Sequence, residues 1–476
     1  MTFQTSEPFF GMMLSPLITG ISYDGERAVL TVHFQGGTSN ELPWSDAGLA
    51  ELVGRMPETA GMSVPDLRRA VTDLDPGLSD GDVAKTTDVL LRRLTQNDMV
   101  RWWFGTTQQP LCFLDPRSRL FYPKFKPDPV PDGAVLSRFA FMRRDGDAVL
   151  LENPEYHAAL RFTGAGQDLL PIAFARSASG TSSAFWHFLW CAGFLEHEAT
   201  DTPSRQAWEF HDRVFHAGSR SFLGSARLGM NYRLKDNLAS PPAQKPAMSD
   251  RKITLPRLRD SEDTPRSRPL NSVMETRRSI RLPGDFPLTL ADLGVFLWRT
   301  VSVRGQMMGG EQELLKRPMP SGGSIHELEF YIAVHRCDGL EPGLYQYHGG
   351  DHALYALPAN PPYVRAMLAG AAGGMGQAGD LPDCVIIMAS RLLRLAWKYQ
   401  GVAYRLSMLH VGVAMETFYL VAEDMGLSPC AVGGGDSALF AIATGLPEDE
   451  EAAIGEFVLN GRQVPVMAGG DSGPLQ

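Results

Sequence analysis

Residues 404–425 constrain the fold of this chain most. Leu406, Met408, Leu409, Val411, Val413, Met415, Phe418, Leu420 and Val421 recur through them at helical spacing and cover most faces of the helix. A helix that is apolar nearly all round has to be buried. In a domain of roughly 200 residues, its expected place is central, at a subunit interface. Residues 328–335 and 384–389 are short apolar runs of strand length. The C-terminal part therefore alternates strands and helices, and the predicted class is α+β.

Proline separates this region from the first half. Residues 236–269 contain Pro241, Pro242, Pro246, Pro256, Pro265 and Pro269 among charged and small residues. Proline cannot donate to a helix or sheet ladder, so this segment is predicted to run extended over a surface as a linker. Two units are expected ahead of it. In residues 1–130 the run 27–34 alternates like a strand, and Leu49, Leu52 and Val53 mark one helix. A second helix begins near Ser79, a candidate N-cap, and turns Val83, Leu90, Leu91 and Leu94 inward; 99–104 returns as a strand. This layout is winged-helix-like. In residues 131–235, the runs 136–144 and 148–152 flank Asp145-Gly146-Asp147 as a hairpin signal. An apolar helix with Phe185, Trp186, Phe188, Leu189 and Trp190 follows and ends at Gly193. It suggests a second winged-helix-like unit, for which the resemblance given below implies peptide binding. The motifs that carry chemistry fall in residues 270–470.

Composition narrows the function classes. With 44% hydrophobic and 21% charged residues, the chain is globular in type. Its net charge of -10 weighs against nucleic acid as a partner. The five cysteines, Cys112, Cys191, Cys337, Cys384 and Cys430, form no C-x-x-C pair, which argues against a disulfide framework and a cysteine-rich zinc site. His211 and His216 do not share a helical face, so no metal is expected there either. Residues 1–8 lack the features of a signal peptide, and no apolar stretch approaches the ~20 residues that span a bilayer. A cytoplasmic protein without a membrane partner is the expectation.

Four segments can carry chemistry. Arg277, Arg278 and Arg281 lie within one short stretch. Guanidinium groups bind phosphate through paired hydrogen bonds, although such a run is also what a solvated basic turn looks like. Pro320-Ser321-Gly322-Gly323-Ser324 can bring backbone close to a flat ligand, or be a surface turn. Gly433-Gly434-Gly435 fits neither a Walker loop nor a dinucleotide fingerprint. Lys398 and Tyr399 offer an amine and a phenol side by side. A desolvated lysine can act as a general base. On a strand the two side chains would face opposite ways, so joint action requires a loop or a strand end. The plain alternative is a surface lysine beside a half-buried tyrosine.

Taken together, these stretches resemble a known family. RRSIR at 277–281, PSGGSIHELEFYIAVHR at 320–336, GLYQYH at 343–348, WKYQGVAYRLSMLHVG at 397–412 and GLSPCAVGGGD at 426–436 are similar to the SagB-type (McbC-like) dehydrogenases, in the nitroreductase-like flavoprotein superfamily. Residues 136–161 and 208–220 resemble the N-terminal region of the same enzymes. The resemblance implies a C-terminal nitroreductase-like domain, a mixed sheet flanked by helices, that binds FMN at a homodimer interface. It implies oxidation of thiazoline or oxazoline rings in a ribosomally made peptide, with dioxygen as electron acceptor. The partners would be a precursor peptide with its leader and a cyclodehydratase complex. Lys398 and Tyr399 would be the catalytic pair. Arg277, Arg281, Arg405 and Arg462 would lie near the FMN phosphate and ribityl chain. Pro320, Ser321, Gly433 and Gly434 would border the isoalloxazine, and Arg278, Ser279, Gly322 and Val432 complete the cofactor set. An NAD(P)H-dependent nitroreductase-like reductase and a non-catalytic leader-binding scaffold are the competing readings.

Overall fold

A computed structural model of the chain describes residues 9–56, 62–106, 109–116, 121–123, 129–156, 158–175, 181–197, 202–220, 229–257, 267–377 and 379–463. Residues 1–8, read above for a targeting signal, lie outside this set, as do Pro265 of the proline-rich segment and residues 464–470. The chain divides into two compact units, Met1–Arg227 and Leu228–Gln476. Both mix helices and strands, so the class is α+β.

In the first unit a seven-stranded sheet runs in the order Met62–Ser63, Phe9–Leu14, Val100–Gly105, Pro110–Pro116, Ala158–Phe162, Ala148–Asn153, Phe141–Asp145. Its strands come from both sides of residue 130. Trp102, Phe104, Leu160 and Phe162 of this sheet pack with Phe185 and Phe188 of the helix Thr181–Cys191 in one core. Ser79 caps the helix Asp80–Gln96 by accepting from the Asp82 N–H, and Val83, Leu90, Leu91 and Leu94 are buried. The hairpin turn falls at Gly146, whose φ of +61° suits a residue without a Cβ.

The second unit is built on another seven-stranded sheet. Its strands are β1 (Lys252–Thr254), β2 (Leu328–Val334), β3 (Gly343–His348), β4 (Ala353–Ala356), β5 (Cys384–Ser390), β6 (Leu427–Val432) and β7 (Ala452–Arg462). The order is β1-β4-β3-β2-β5-β7-β6, and every neighbouring pair is antiparallel. After a short helix, Leu270–Thr276, the helices that accompany it are α1 (Leu290–Thr300), α2 (Pro361–Gly374), α3 (Leu392–Lys398), α4 (Ala403–Met425) and α5 (Ser437–Thr444).

Successive strand residues point to opposite faces. Phe330, Ile332, Ile386 and Met388 pack with residues of α1 and α4. Tyr331, Ala333, Val385 and Ile387 pack with residues of α2 and α5. Both faces are covered, which is why β2 and β5 read as unbroken apolar runs instead of alternating ones. Within one chain α4 buries one side, including Ser407, His410, Val411, Ala414 and Phe418. Tyr404, Met408 and Leu409 of its N-terminal half are exposed.

The described part of the proline-rich segment is packed against this unit. The Leu238 carbonyl accepts from Trp397 at 2.8 Å and the Pro241 carbonyl from Arg394 at 2.7 Å. The Pro242 carbonyl accepts from Arg391 at 2.9 Å. Further along, β1 adds to the sheet edge. With no N–H to spend on a ladder, prolines here serve through their carbonyls.

Candidate functional site

The strand register sets where the site lies. Leu328, which opens β2, pairs with Ser390, which closes β5, and β6 closes at Val432 opposite Glu456 of β7. Three connections therefore leave the same end of the sheet. They are the 320–327 loop before β2, helix α3 after β5, and Gly433-Gly434-Gly435 after β6.

Lys398 is the last residue of α3, and Tyr399 is its C-cap, with φ -111° and ψ 137°. The change from helical to extended backbone between them turns both side chains toward one place. A Cβ built on Gly323 would lie 2.9 Å from Tyr399 Oη and 3.1 Å from Lys398 Nζ. Lys398 Nζ is 5.5 Å from the centre of the Tyr399 ring. Both residues are half-buried. The junction is clamped from behind: the Lys398 carbonyl accepts from the Asn231 and Tyr232 N–H groups at 3.1 and 3.2 Å, and Tyr399 pairs with Met230. The geometry thus supplies the loop-like setting that joint action of this pair needs. An amine and a phenol that meet at one backbone atom can exchange protons with one substrate position.

The loop opposite them is unusual. Gly323, Ser324 and His326 have φ of +65°, +57° and +49°. For Ser324 and His326 such values cost about 1–3 kcal/mol each, so surrounding contacts must impose them. Ser321 Oγ accepts from the His326 N–H at 3.1 Å. Arg394, fully buried on α3, donates to the Ile325 carbonyl at 2.7 Å, to Pro241 O at 2.7 Å and to Glu313 O at 2.9 Å. Burial, and then neighbouring Arg391, push its pKa down to about 10. His326 has its pKa pushed down to about 3 by burial, with Arg317, His410 and Arg394 adding to the shift. It is therefore neutral near pH 7.

The expected phosphate ligands lie beside β6. The Ile280 N–H donates to the Pro429 carbonyl at 2.8 Å, and Ser279 Oγ is 2.7 Å from Tyr419 Oη. Arg277 stacks 5.0 Å over the Tyr419 ring. Among the described residues no ion pair or side-chain hydrogen bond occupies the guanidiniums of Arg277, Arg278 or Arg281. Gly433 and Gly434 are exposed, and a Cβ on either would meet nothing within 4 Å. Val432, just before them, is buried. Open glycine backbone after β6, and guanidiniums free of ion pairs on the stretch that packs against the same strand, are the kinds of group that a flat ligand carrying a phosphate requires. Arg405 is half-buried in the first turn of α4. Arg462 closes β7 opposite Leu427, pairs with Asp292 at 2.8 Å, and accepts at its carbonyl from the Phe286 N–H at 3.1 Å.

Several groups at the site have no local signal in the sequence. His410 and Glu327 meet at 2.8 Å from positions far apart in the chain. Arg394 and Gln312, which donates to the Arg394 carbonyl at 2.9 Å, are likewise joined only by the tertiary fold. One cavity reaches the glycine run after β6, and a larger groove does not. The cavity, of about 260 Å³, is walled by α2, α5, Gly434, Gly435 and Glu456. Burial raises the Glu456 pKa. A groove of about 880 Å³ between β3, β4 and α2 contains none of the expected site residues. No group of metal-ligating side chains occurs among the described residues, and no helix among them is long and apolar enough to cross a membrane.

With this geometry in hand, the likeness to known proteins can be placed. The Nitroreductase family model matches residues 274–457, within the second unit. A protein of Methanocaldococcus jannaschii provisionally named a nitroreductase is 29% identical over 164 residues, which cover 34% of this chain and 78% of that protein. Among solved structures, the E. coli microcin synthetase McbBCD complex with truncated pro-MccB17 bound is 19% identical, covering 48% of this chain and 90% of that one, with a TM-score of 0.33. A nitroreductase-like protein of Exiguobacterium sibiricum in complex with FMN is 13% identical, covering 45% and 96%, with a TM-score of 0.29. These two structural likenesses are too distant to assign a function. The second unit carries a nitroreductase-type domain, preceded by a separate α+β unit.

Proposed function

We propose that this chain is an FMN-dependent dehydrogenase that oxidises thiazoline or oxazoline rings of a ribosomally made peptide to thiazole or oxazole. The observation that carries the reading is the convergence of Lys398 Nζ and Tyr399 Oη on Gly323. It is supported by the family match over residues 274–457 and by the quoted motifs.

Arg277, Arg278, Ser279 and Arg281 would hold the phosphate and ribityl end of FMN, with Arg405 and Arg462 as further candidates. Pro320, Ser321, Gly322, Val432, Gly433 and Gly434 would border its ring system. When bound, FMN supplies the two-electron acceptor, with dioxygen as the expected terminal oxidant. The protein's part is to orient the azoline and to move a proton. Aromatising the ring breaks two C–H bonds on adjacent ring carbons, one hydrogen leaving as a proton and the other with its electron pair. Lys398, as the free amine, takes the proton. Tyr399 holds the ring by its hydroxyl and shares that proton. The absence of a side chain on Gly323 lets Lys398 Nζ and Tyr399 Oη approach the loop.

The reading includes a homodimer in which each site draws on both chains. The exposed Tyr404, Met408 and Leu409 of α4 would be covered by the partner subunit. It also includes a leader-bearing precursor peptide recognised by the first unit, and a cyclodehydratase that supplies the azoline. One observation favours a second reading: the matching family model is that of nitroreductases, which suggests reduction of small molecules by NAD(P)H. Incubating the flavin-loaded protein with an azoline-bearing peptide and weighing the product separates the two. Loss of the mass of two hydrogens per ring supports the first. An unchanged peptide, with rapid flavin bleaching by NAD(P)H, supports the second.

A further inference from the structure

We propose that His410 is a positioning residue of this site: braced by Glu327, it grips the Gly322 N–H and so sets the 320–327 loop against Lys398 and Tyr399. The inference rests on the proposed function only for the identity of the reaction it serves.

His410 sits on the buried side of α4, 5% exposed, and Glu327 is fully buried. His410 Nε2 lies 2.7 Å from the Gly322 amide nitrogen. Its Nδ1 lies 2.8 and 3.0 Å from the two carboxylate oxygens of Glu327. A peptide N–H can only donate, so Nε2 is the acceptor and carries no proton. The one proton of the neutral ring is then on Nδ1, where it is donated to Glu327. The two contacts fix both the tautomer and the ring plane.

The loop held in this way would not hold itself. Ser324 and His326 are both at positive φ, a conformation their side chains resist. Gly322 has no slack toward α4: a Cβ there would stand 3.2 Å from His410 Nε2 and 3.7 Å from Leu406 Cδ2. The next residue, Gly323, is the one on which Lys398 Nζ and Tyr399 Oη converge. Glu327, His410, Gly322 and Gly323 therefore form one continuous path from a buried carboxylate to the reacting groups. A shift of the loop by one ångström changes the distance between the substrate ring and the amine that takes its proton. Misplacements of that size can cost about 100-fold in rate.

Two substitutions of similar size separate positioning from simple satisfaction of a buried carboxylate. His410→Gln places an amide oxygen near the Nε2 position and keeps an acceptor for Gly322. His410→Asn keeps a donor for Glu327 and cannot reach Gly322. The readouts on the full-length, flavin-loaded protein are amide hydrogen exchange of the peptide spanning 320–327, and kcat against KM. Turnover is measured with whichever two-electron donor the wild type oxidises, azoline peptide or NAD(P)H. If that donor is NAD(P)H alone, the proposed reaction fails, while exchange in the loop still decides the role of His410. The expected result is faster exchange and a kcat lowered about 10–100-fold in His410→Asn, with KM little changed. His410→Gln should recover most of both. The inference is overturned if His410→Asn exchanges and turns over like the wild type, if the loop loosens with no change in kcat, or if His410→Gln is the more damaged of the two.

Discussion

The two units place their charges differently. In the first, no Asp, Glu, His, Lys or Arg is buried among the described residues; its buried polar groups are Thr87, Thr95, Ser137, Asn153 and Ser219. Its ion pairs, such as Arg143–Glu152 and Arg161–Asp115, stay partly in water. The second unit buries Glu327, Glu329, Asp383, Arg394, His410 and Glu451. Burying a charge costs several kcal/mol unless it is fully paired, so such groups seldom persist for stability alone. Glu327, Arg394 and His410 lie behind the loop that faces Lys398 and Tyr399. The contrast teaches that one unit is held by apolar packing and helix caps. The other also buries charged and polar groups, three of which frame the loop before β2.

The strongest way to break this comparison is Arg394→Met. It leaves the carbonyls of Ile325, Pro241 and Glu313 without their donor. Removing one partner of a buried charged network costs about 3–5 kcal/mol. The loss should appear as weaker amide protection across the second unit, with peptides of the first unrelaxed. Equal loosening in both units would show that the frame is not local.

Gly323→Ala comes next. Its Cβ would press on Tyr399 Oη and Lys398 Nζ, and the φ of +65° resists any side chain. Turnover should fall about 100-fold from misplacement of the pair, with about 1 kcal/mol of stability lost. Steady-state rates and urea unfolding check the two figures separately. Wild-type turnover in this variant would mean that the pair does not act at Gly323.

How much of this could be read from the sequence differs along the chain. The strand at 384–390 was legible because both of its faces are buried, leaving a plain apolar run. The helix that begins after Ser79 was legible because its cap and its inward residues are local. Lys398 and Tyr399 were legible as a motif, but their shared direction depends on the break in backbone at the end of α3. The His410–Glu327 and Arg394–Ile325 contacts join segments far apart in sequence. They leave no period and no spacing, and only the tertiary fold reveals them. The role of the carbonyls of Leu238, Pro241 and Pro242 in holding α3 left no signal in the proline-rich segment.

Acid should sharpen the comparison. His326 has its pKa lowered to about 3, first by burial and then by Arg317, His410 and Arg394. The unfolded chain binds this proton near pH 6.5 and the folded chain does not. Between those values the unfolded state holds more protons, so stability rises with pH. The contribution is complete above about pH 6.5 and drains away as pH falls toward 3. Unfolding of the second unit followed over that range should show the slope. A His326→Gln variant should flatten it. A slope that persists unchanged in the variant would assign it to other groups.

The smallest effect belongs to the first unit. Ser79→Ala removes the oxygen that accepts from the Asp82 N–H at 3.2 Å. The cost should be about 1 kcal/mol, confined to exchange in residues 80–96. Turnover on a substrate lacking any leader should stay at the wild-type value.

The central claim is that Lys398 and Tyr399 move a proton at one substrate position. The most direct test is the rate at which an azoline peptide bleaches the bound flavin, in a single anaerobic turnover, for wild type, Lys398→Ala and Tyr399→Phe. Flavin absorbance per protein is recorded first, so that loss of cofactor is not mistaken for loss of chemistry. The expected result is bleaching slowed about 10²–10⁴-fold in Lys398→Ala, by a smaller factor in Tyr399→Phe, and full flavin occupancy in both. Bleaching near the wild-type rate in fully loaded Lys398→Ala would contradict the claim.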